Sequence, residues 1–119
     1  MGKTVITVNG ADAQSIYPAI IIGVSAAASG DEVIYFFSPF GAPVMKKGAL
    51  EKLQKETKHM PDIMEMYEGL VALDAKMLVC ELAFDFHGFK EEDLREEAEV
   101  VGATTFVVEA QGAGLSLSF

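Results

Sequence analysis

The chain contains a single cysteine, Cys80, and this residue stands where an apolar run ends. In the stretch AKMLVCELAFDFHGF, three apolar residues precede the thiol and an acidic, aromatic segment follows it. A helix beginning just after Cys80 would lower the pKa of the thiol and favour the nucleophilic thiolate, whereas the neighbouring Glu81 would oppose that effect. Free cysteines are also among the most frequently buried residues. The position therefore leaves open both a reactive thiol and a structural one.

The other candidate site residues follow the ends of segments that we predict to be strands. Ligands of open parallel sheets bind at the carboxyl ends of the strands, so these residues are expected to share a crevice with Cys80. The predicted substrate-binding residues at this edge are Asn9, Gly10, Ser38, Phe40, Gly41, Glu81 and Thr104.

Several common kinds of site are disfavoured by the sequence. There is no Walker A loop and no G-x-G-x-x-G after a strand. One cysteine and two histidines make a poor ligand set, so no metal site is predicted. On one continuous helix His87 would lie two turns, roughly 10 Å, from Cys80, and the sequence does not place His59 near the thiol. A cysteine hydrolase needs such a base and is therefore disfavoured, and we predict that His87 is a surface or interface residue.

Composition predicts one soluble domain that binds neither nucleic acid nor membranes. The 119 residues fit a single domain, 1–119, and half of them are hydrophobic. The net charge is −9 and Arg95 is the only arginine, so a basic face for phosphates is not expected. The sequence shows no secretory signal pattern, and its longest apolar stretch, residues 18–30, is too short to span a bilayer. We expect a cytoplasmic protein in a reducing compartment.

The elements that must position these residues alternate between strand and helix. The first three predicted strands are continuously apolar, which indicates a parallel sheet covered on both faces. We predict an α/β fold, a three-layer α/β/α sandwich with a mostly parallel five-stranded sheet. The predicted strands are residues 3–8, 32–37, 76–80, 99–102 and 115–119. The predicted helices are residues 15–29, 49–57, 61–73, 82–87 and 103–110, with a loop at 38–48 and a turn or helix at 90–97.

Three residues of the sequence indicate where the first helix begins and ends. Ser15 is expected to cap it, Pro18 to lie in its first turn, and Gly30 to end it.

Two groups of side chains allow two interpretations each. The pair Lys46 and Lys47 is either solvated, which we favour, or a source of positive potential at the sheet edge. Methionines at helical spacing usually belong to the core, but a dense cluster can also form an adaptable contact surface. The methionines concerned are Met45, Met60, Met64 and Met66.

Three long segments resemble the DsrE/DsrF-like sulfur-relay family, most closely its stand-alone, cysteine-bearing members. They are SAAASGDEVIYFF, MPDIMEMYEGLVAL and KMLVCELAFDFHGFKEEDLREEAEVVGATTFV, and together they span essentially the whole chain. The resemblance rests above all on a cysteine that ends the third strand and is followed by GFKEEDL and GATTF. It implies a three-layer α/β fold and a homo-oligomer, with a trimer favoured. In cysteine-bearing members it implies that the cysteine, here Cys80, carries sulfane sulfur as a persulfide for a partner protein.

Three functions remain open at this point. In the first, a sulfur carrier or sulfurtransferase, Cys80 takes sulfur from a donor protein and passes it to an acceptor, with no metal or organic cofactor. In the second, a non-catalytic binding or assembly subunit, Cys80 fills space in the core. The third is a thiol peroxidase or redox sensor, which would need donors to polarise a peroxide, whereas the lone Arg95 sits in an acidic run.

Overall fold

One parallel sheet organises the chain in the computed structural model, which describes residues 2–119. The strands lie in the order β4-β3-β2-β1-β5, and each neighbouring pair is parallel. Their bounds are β1 Lys3–Val8, β2 Glu32–Phe37, β3 Lys76–Cys80, β4 Ala98–Val101 and β5 Leu115–Ser118. The predicted five-stranded α/β architecture is confirmed, and the sheet is parallel throughout.

The helices occupy the two faces of the sheet unequally. From β1 to β4 the chain advances across the sheet in one direction, so right-handed crossovers place the intervening helices on one face. The return from β4 to β5 runs the opposite way and places a single short helix on the other face. The helices are α1 Ala13–Ala28, α2 Ala49–Glu56, α3 Ile63–Ala72, α4 Leu82–His87 and α5 Ala103–Glu109.

The apolar core is correspondingly asymmetric. The larger cluster lies between the sheet and the helices α1 to α4, and it includes the fully buried Tyr35, Ile63 and Leu70. The smaller cluster lies under α5, where Phe106 stacks on Phe36 with ring centroids 4.3 Å apart. No residue of α5 is itself buried, so this helix covers the second face thinly.

The start of α1 differs from the prediction. The helix begins at Ala13, because Asp12 is extended and serves as the N-cap residue. Ser15 does not cap the helix, since its hydroxyl donates a hydrogen bond to the Asp12 carboxylate (2.9 Å). The earlier start also moves Pro18 out of the first turn, to the sixth helical position. Gly30 follows the helix with a φ of +99°, in agreement with its predicted role at the end.

The loop predicted at residues 38–48 is more ordered than its composition suggests. It contains a 3-10 helix, Ala42–Met45, and a second 3-10 helix, Glu91–Asp93, lies in the acidic run. The two segments pair through an antiparallel bridge between Lys46 and Leu94. This contact joins the loop after β2 to the segment that leads into β4.

None of the helices within residues 2–119 combines the length and the hydropathy that crossing a bilayer requires.

Candidate functional site

Cys80 ends β3 at the carboxyl edge of the sheet, and its side chain faces α5. It belongs to the smaller apolar cluster with Leu78 and Val101, and only 4% of its surface is exposed. In the ladder Cys80 pairs with Val101 of β4, and the next amide, that of Glu81, donates to the Val101 carbonyl (2.9 Å). The pairing of β3 with β4 therefore continues as far as Cys80.

Two of the predicted site residues, Ser38 and Asn9, continue β2 and β1, the next two strands of the sheet, on the same face. Phe37 of β2 pairs with Val79 of β3, so the next position, Ser38, lies level with Cys80. Side chains alternate along a strand, and Phe36 faces the α5 side, so continued alternation directs Ser38 toward that side too. By the same rule Asn9 follows Thr7 of β1, which pairs with Phe36. Asn9 is exposed, whereas the Ser38 hydroxyl is buried and has no hydrogen-bond partner in the part of the chain that the structure describes.

Glu81 and Thr104 flank the thiol from the segments that follow β3 and β4. Glu81 is exposed and precedes α4, and a Cβ built on Gly102 would lie 3.5 Å from its carboxylate. Thr104 is exposed in the first turn of α5. Thr104 thus lies on the short helix α5, and Glu81 is the residue between Cys80 and the short helix α4.

Gly41 and Gly10 allow close packing around the end of β1, Gly41 against backbone atoms and Gly10 against side-chain atoms. A Cβ on Gly41 would lie 2.2 Å from the Val8 carbonyl oxygen, so the loop after β2 crosses the end of β1 in direct contact. A Cβ on Gly10 would meet the Ser15 hydroxyl at 2.6 Å. Both glycines therefore shape the edge of the sheet by leaving space.

Phe40 belongs to an aromatic cluster that the sequence did not indicate. Its ring is 60% exposed and packs edge-on against Phe86 of α4, with centroids 5.3 Å apart. His87 stacks on Phe89 (4.8 Å), and its Nε2 lies 2.5 Å from the carbonyl oxygen of Pro39. His87 is thus partly buried and ties α4 to the loop after β2. The aromatic spacing of FDFHGF was the available signal for this cluster.

Lys46 and Lys47 are both exposed, as the favoured interpretation expects, and most of the methionines belong to the core. Lys46 lies over the ring of Phe89, 5.1 Å from its centroid. Met45 is buried in the core, and Met64 and Met66 pack against it, whereas Met60 is 44% exposed.

Arg95 is engaged in a network away from the strand ends. Its Nε donates to Glu97 (2.8 Å), its Nη1 donates to Glu51 (3.2 Å), and its guanidinium lies over the ring of Tyr67. The Tyr67 hydroxyl also donates to Glu97. Burial disfavours the charged carboxylate, but these hydrogen bonds hold the pKa of Glu97 below its ordinary value. The only guanidinium of the chain is therefore occupied by protein partners.

The helices beside Cys80 are weakly anchored at that end. Ala83 is the one buried residue of α4, which has six residues. The polar anchors of α5 lie at its far end, where Lys3 donates to the Glu109 carbonyl (2.8 Å) and Lys76 pairs with the Glu109 carboxylate (3.1 Å). Segments with few buried contacts open locally at low free-energy cost.

The fold and the position of Cys80 together define a three-layer α/β protein with a single thiol at the carboxyl edge of an all-parallel sheet. The model of the DsrE/DsrF-like family matches residues 2–114, and the chain belongs to this family. The resemblance noted from the sequence is thereby confirmed.

The chain is also similar to an individual protein of another organism. The chain is 25% identical over 96 residues to the uncharacterized protein MJ0760 of Methanocaldococcus jannaschii, a match that covers 81% of this chain and 34% of that protein. The chain thus spans about a third of the length of that relative.

Two solved structures show the same fold. The ychN protein from E. coli superposes with a TM-score of 0.79 at 20% identity, over 100% of both chains. MTH1491 from Methanobacterium thermoautotrophicum, a protein of unknown function, superposes with a TM-score of 0.72 at 14% identity, over 98% of this chain and 97% of that one.

Proposed function

We propose that this protein is a cytoplasmic sulfur-relay protein that carries sulfane sulfur as a persulfide on Cys80 and transfers it to a partner thiol. The observation that carries the proposal is the position of Cys80, the only cysteine, at the carboxyl end of β3 beside the polar Ser38. Membership of the DsrE/DsrF-like family supports the same chemistry.

The transfer needs only one thiol of this protein, because the acceptor thiol belongs to another molecule. The Cys80 thiolate attacks the outer sulfur of a donor persulfide, the donor S–S bond breaks, and the donor leaves as a thiolate while Cys80 becomes a persulfide. An acceptor thiolate then attacks the outer sulfur on Cys80, and the Cys80 thiolate leaves. A thiosulfonate donor reacts in the same way and releases a sulfinate. Neither step has net oxidation or reduction, so no metal or organic cofactor is required.

Because the thiol is buried, a donor or acceptor can reach Cys80 only if the structure around it opens. With 4% of its surface exposed, Cys80 reacts only when the helices around it move. The weak anchoring of α4, and of the α5 end nearest the thiol, favours such local opening. In this proposal, docking of the donor or acceptor protein triggers the local opening of these helices.

The remaining site residues have supporting roles in this proposal. Ser38 offers a polar group on the strand next to Cys80, and Asn9 offers one at the end of the strand beyond it. Thr104 and Glu81 lie on the segments that must move. Gly10 and Gly41 leave space at the carboxyl edge of the sheet. Phe40 presents an aromatic surface to a partner protein.

We also propose that the protein is a homo-oligomer, with a trimer favoured, in which α5 contributes to the interface. Val107 and Val108 on this helix are 54% and 67% exposed. In a chain with a net charge of −9, Glu109 is the only charged residue of α5, and Lys76 neutralises it. A second copy can therefore approach this face without charge repulsion.

A non-catalytic binding or assembly subunit is the second candidate, and the burial of Cys80 among apolar residues favours it. Incubating the native protein with thiosulfate or a small persulfide donor and weighing it intact distinguishes the two. The relay proposal predicts a gain of one sulfur atom, removable by reductant, for the wild type and not for Cys80→Ser. No gain, with Cys80 inert to a small alkylating agent until the protein is unfolded, would establish the structural role.

A further inference from the structure

The hydroxyl of Ser38 is a buried polar group that the fold leaves without a partner. Its oxygen is enclosed by protein atoms, and no group within residues 2–119 forms a hydrogen bond with it. The backbone of Ser38 is fully used, because its amide donates to the Val8 carbonyl (3.0 Å) and its carbonyl accepts from Gly41 and Ala42. Buried hydroxyls in native proteins almost always have partners, so this one requires an explanation.

The position of Ser38 relates the unpartnered hydroxyl to Cys80. The β2–β3 register ends with Phe37 opposite Val79, which sets Ser38 level with Cys80 on the adjacent strand. Adjacent strands lie about 4.8 Å apart, and the alternation of side chains directs both residues to the α5 side. Cys80 belongs to the cluster on that side together with Phe36.

The thiol of Cys80 does not satisfy this hydroxyl, although sulfur is an acceptor of weak hydrogen bonds. A persulfide is longer than a thiol by one S–S bond, about 2 Å, and its outer sulfur carries the negative charge. Hydrogen bonds to an ionised acceptor are about twice as strong as those between neutral groups. The loaded form of Cys80 therefore supplies the acceptor that the unloaded form lacks.

We propose that the Ser38 hydroxyl donates a hydrogen bond to the outer sulfur of a persulfide on Cys80. This inference rests on the proposed function and assigns the group that holds the carried sulfur. Ser38 is unpartnered in the resting protein and gains its bond on loading, so the protein binds sulfur more tightly than a free thiol of the same reactivity would.

The test compares Ser38→Thr with Ser38→Val, two variants of the same shape of which only the first keeps the hydroxyl. Each is titrated with a small persulfide donor, and the loaded fraction is measured by intact mass. We expect Ser38→Thr to load like the wild type and Ser38→Val to need about tenfold more donor for half loading. Ser38→Ala should resemble Ser38→Val, and Ser118→Ala, on β5 two strands away from β2, should resemble the wild type.

A second readout separates a role in holding sulfur from a general disturbance of the site. The alkylation rate of unloaded Cys80 should be equal in Ser38→Thr and Ser38→Val. Equal loading of these two variants, with a wild type that loads, would overturn the role of Ser38 alone. A wild type that takes up no sulfur at all would overturn the proposed function and this inference with it.

Discussion

Glu97 is the residue on which two hydrogen bonds from different parts of the chain converge. Tyr67 of α3 and Arg95 both donate to its carboxylate, and Arg95 also reaches Glu51 of α2. The network thus fastens the segment before β4 to the helical layer. The donors favour the charged carboxylate, so the network contributes to stability only while Glu97 is ionised.

The pH dependence of stability follows from this arrangement. Despite burial, the hydrogen bonds from Tyr67 and Arg95 keep the pKa of Glu97 below its reference value of 4.5 in the folded protein. A depressed folded-state pKa gives stability that is present above the unfolded pKa and is lost as the pH falls through the folded pKa. We expect the free energy of unfolding to fall less on acidification below pH 4.5 in Glu97→Gln than in the wild type.

Urea unfolding at neutral and acidic pH measures this difference, and Glu96→Gln is the matched control. Glu96 is exposed, so its variant should retain the pH dependence of the wild type. If Glu97→Gln and Glu96→Gln lose stability equally on acidification, the network is not the source of the effect.

For single residues, the sequence indicated which ones are candidates for the site but not what surrounds them. The thiol and the serine beside it were predicted, because both follow apolar strands that are readable in the sequence. The Tyr67–Glu97 bond was not predicted, since the two residues are 30 positions apart and only the fold brings them together. Burial of Cys80 also depended on α5, whose placement is not encoded locally.

The contact between α1 and β2 shows how one small residue sets the distance between two elements. A Cβ built on Gly23 would lie 1.7 Å from the hydroxyl oxygen of Tyr35. That hydroxyl donates to the Ala19 carbonyl (2.7 Å) in the core. The helix can approach the sheet only because position 23 has no side chain.

Gly23→Ala is expected to destabilise the protein by about 1–3 kcal/mol, because the added methyl group overpacks the core and displaces Tyr35. Gly69→Ala in α3 is the matched control, since its Cβ would meet only Val24 at an ordinary 3.7 Å. That control should be neutral or stabilising, as alanine favours helix more than glycine does.

Thermal or urea unfolding of both variants checks this prediction. Adding Tyr35→Phe to Gly23→Ala should cost less than the sum of the two single changes, because the clashing oxygen is removed. Additive costs would contradict the proposed contact.

The elements themselves were largely predictable. The first three strands were predicted at their observed bounds because each is a continuous apolar run with clear stops. The start of α1 was missed because Asp12 and Ser15 are both good caps, and only the backbone conformation decides between them. The bridge between Lys46 and Leu94 joins two distant segments, and no local pattern records it.

At the scale of the whole molecule, the two faces of the sheet are covered unequally. Strand order β4-β3-β2-β1-β5 sends a single crossover helix, α5, to the second face. The sequence predicted a parallel sheet with helices on both faces, but it did not give the strand order. It therefore could not show that the face with Cys80 is the thinly covered one.

A charge placed on α5 tests whether a second copy covers this face. Val108→Lys is expected to shift the native mass from the oligomer toward the single chain, because a lysine would be buried at the interface. Leu73→Lys is the matched control, since Leu73 is 53% exposed at the end of α3 on the other side of the sheet. Size-exclusion chromatography with light scattering measures both, and an unchanged mass for Val108→Lys would contradict this interface.

Passage of labelled sulfur through Cys80 is the measurement that decides whether the protein relays sulfur. The native protein is loaded from a donor with radioactive sulfane sulfur, freed of donor, and mixed with a small acceptor thiol. We expect the label to reside first on the wild type and then to move to the acceptor in equal amount, and we expect Cys80→Ser to take up none. A wild type that remains unlabelled, or a Cys80→Ser variant that carries as much label, would contradict it.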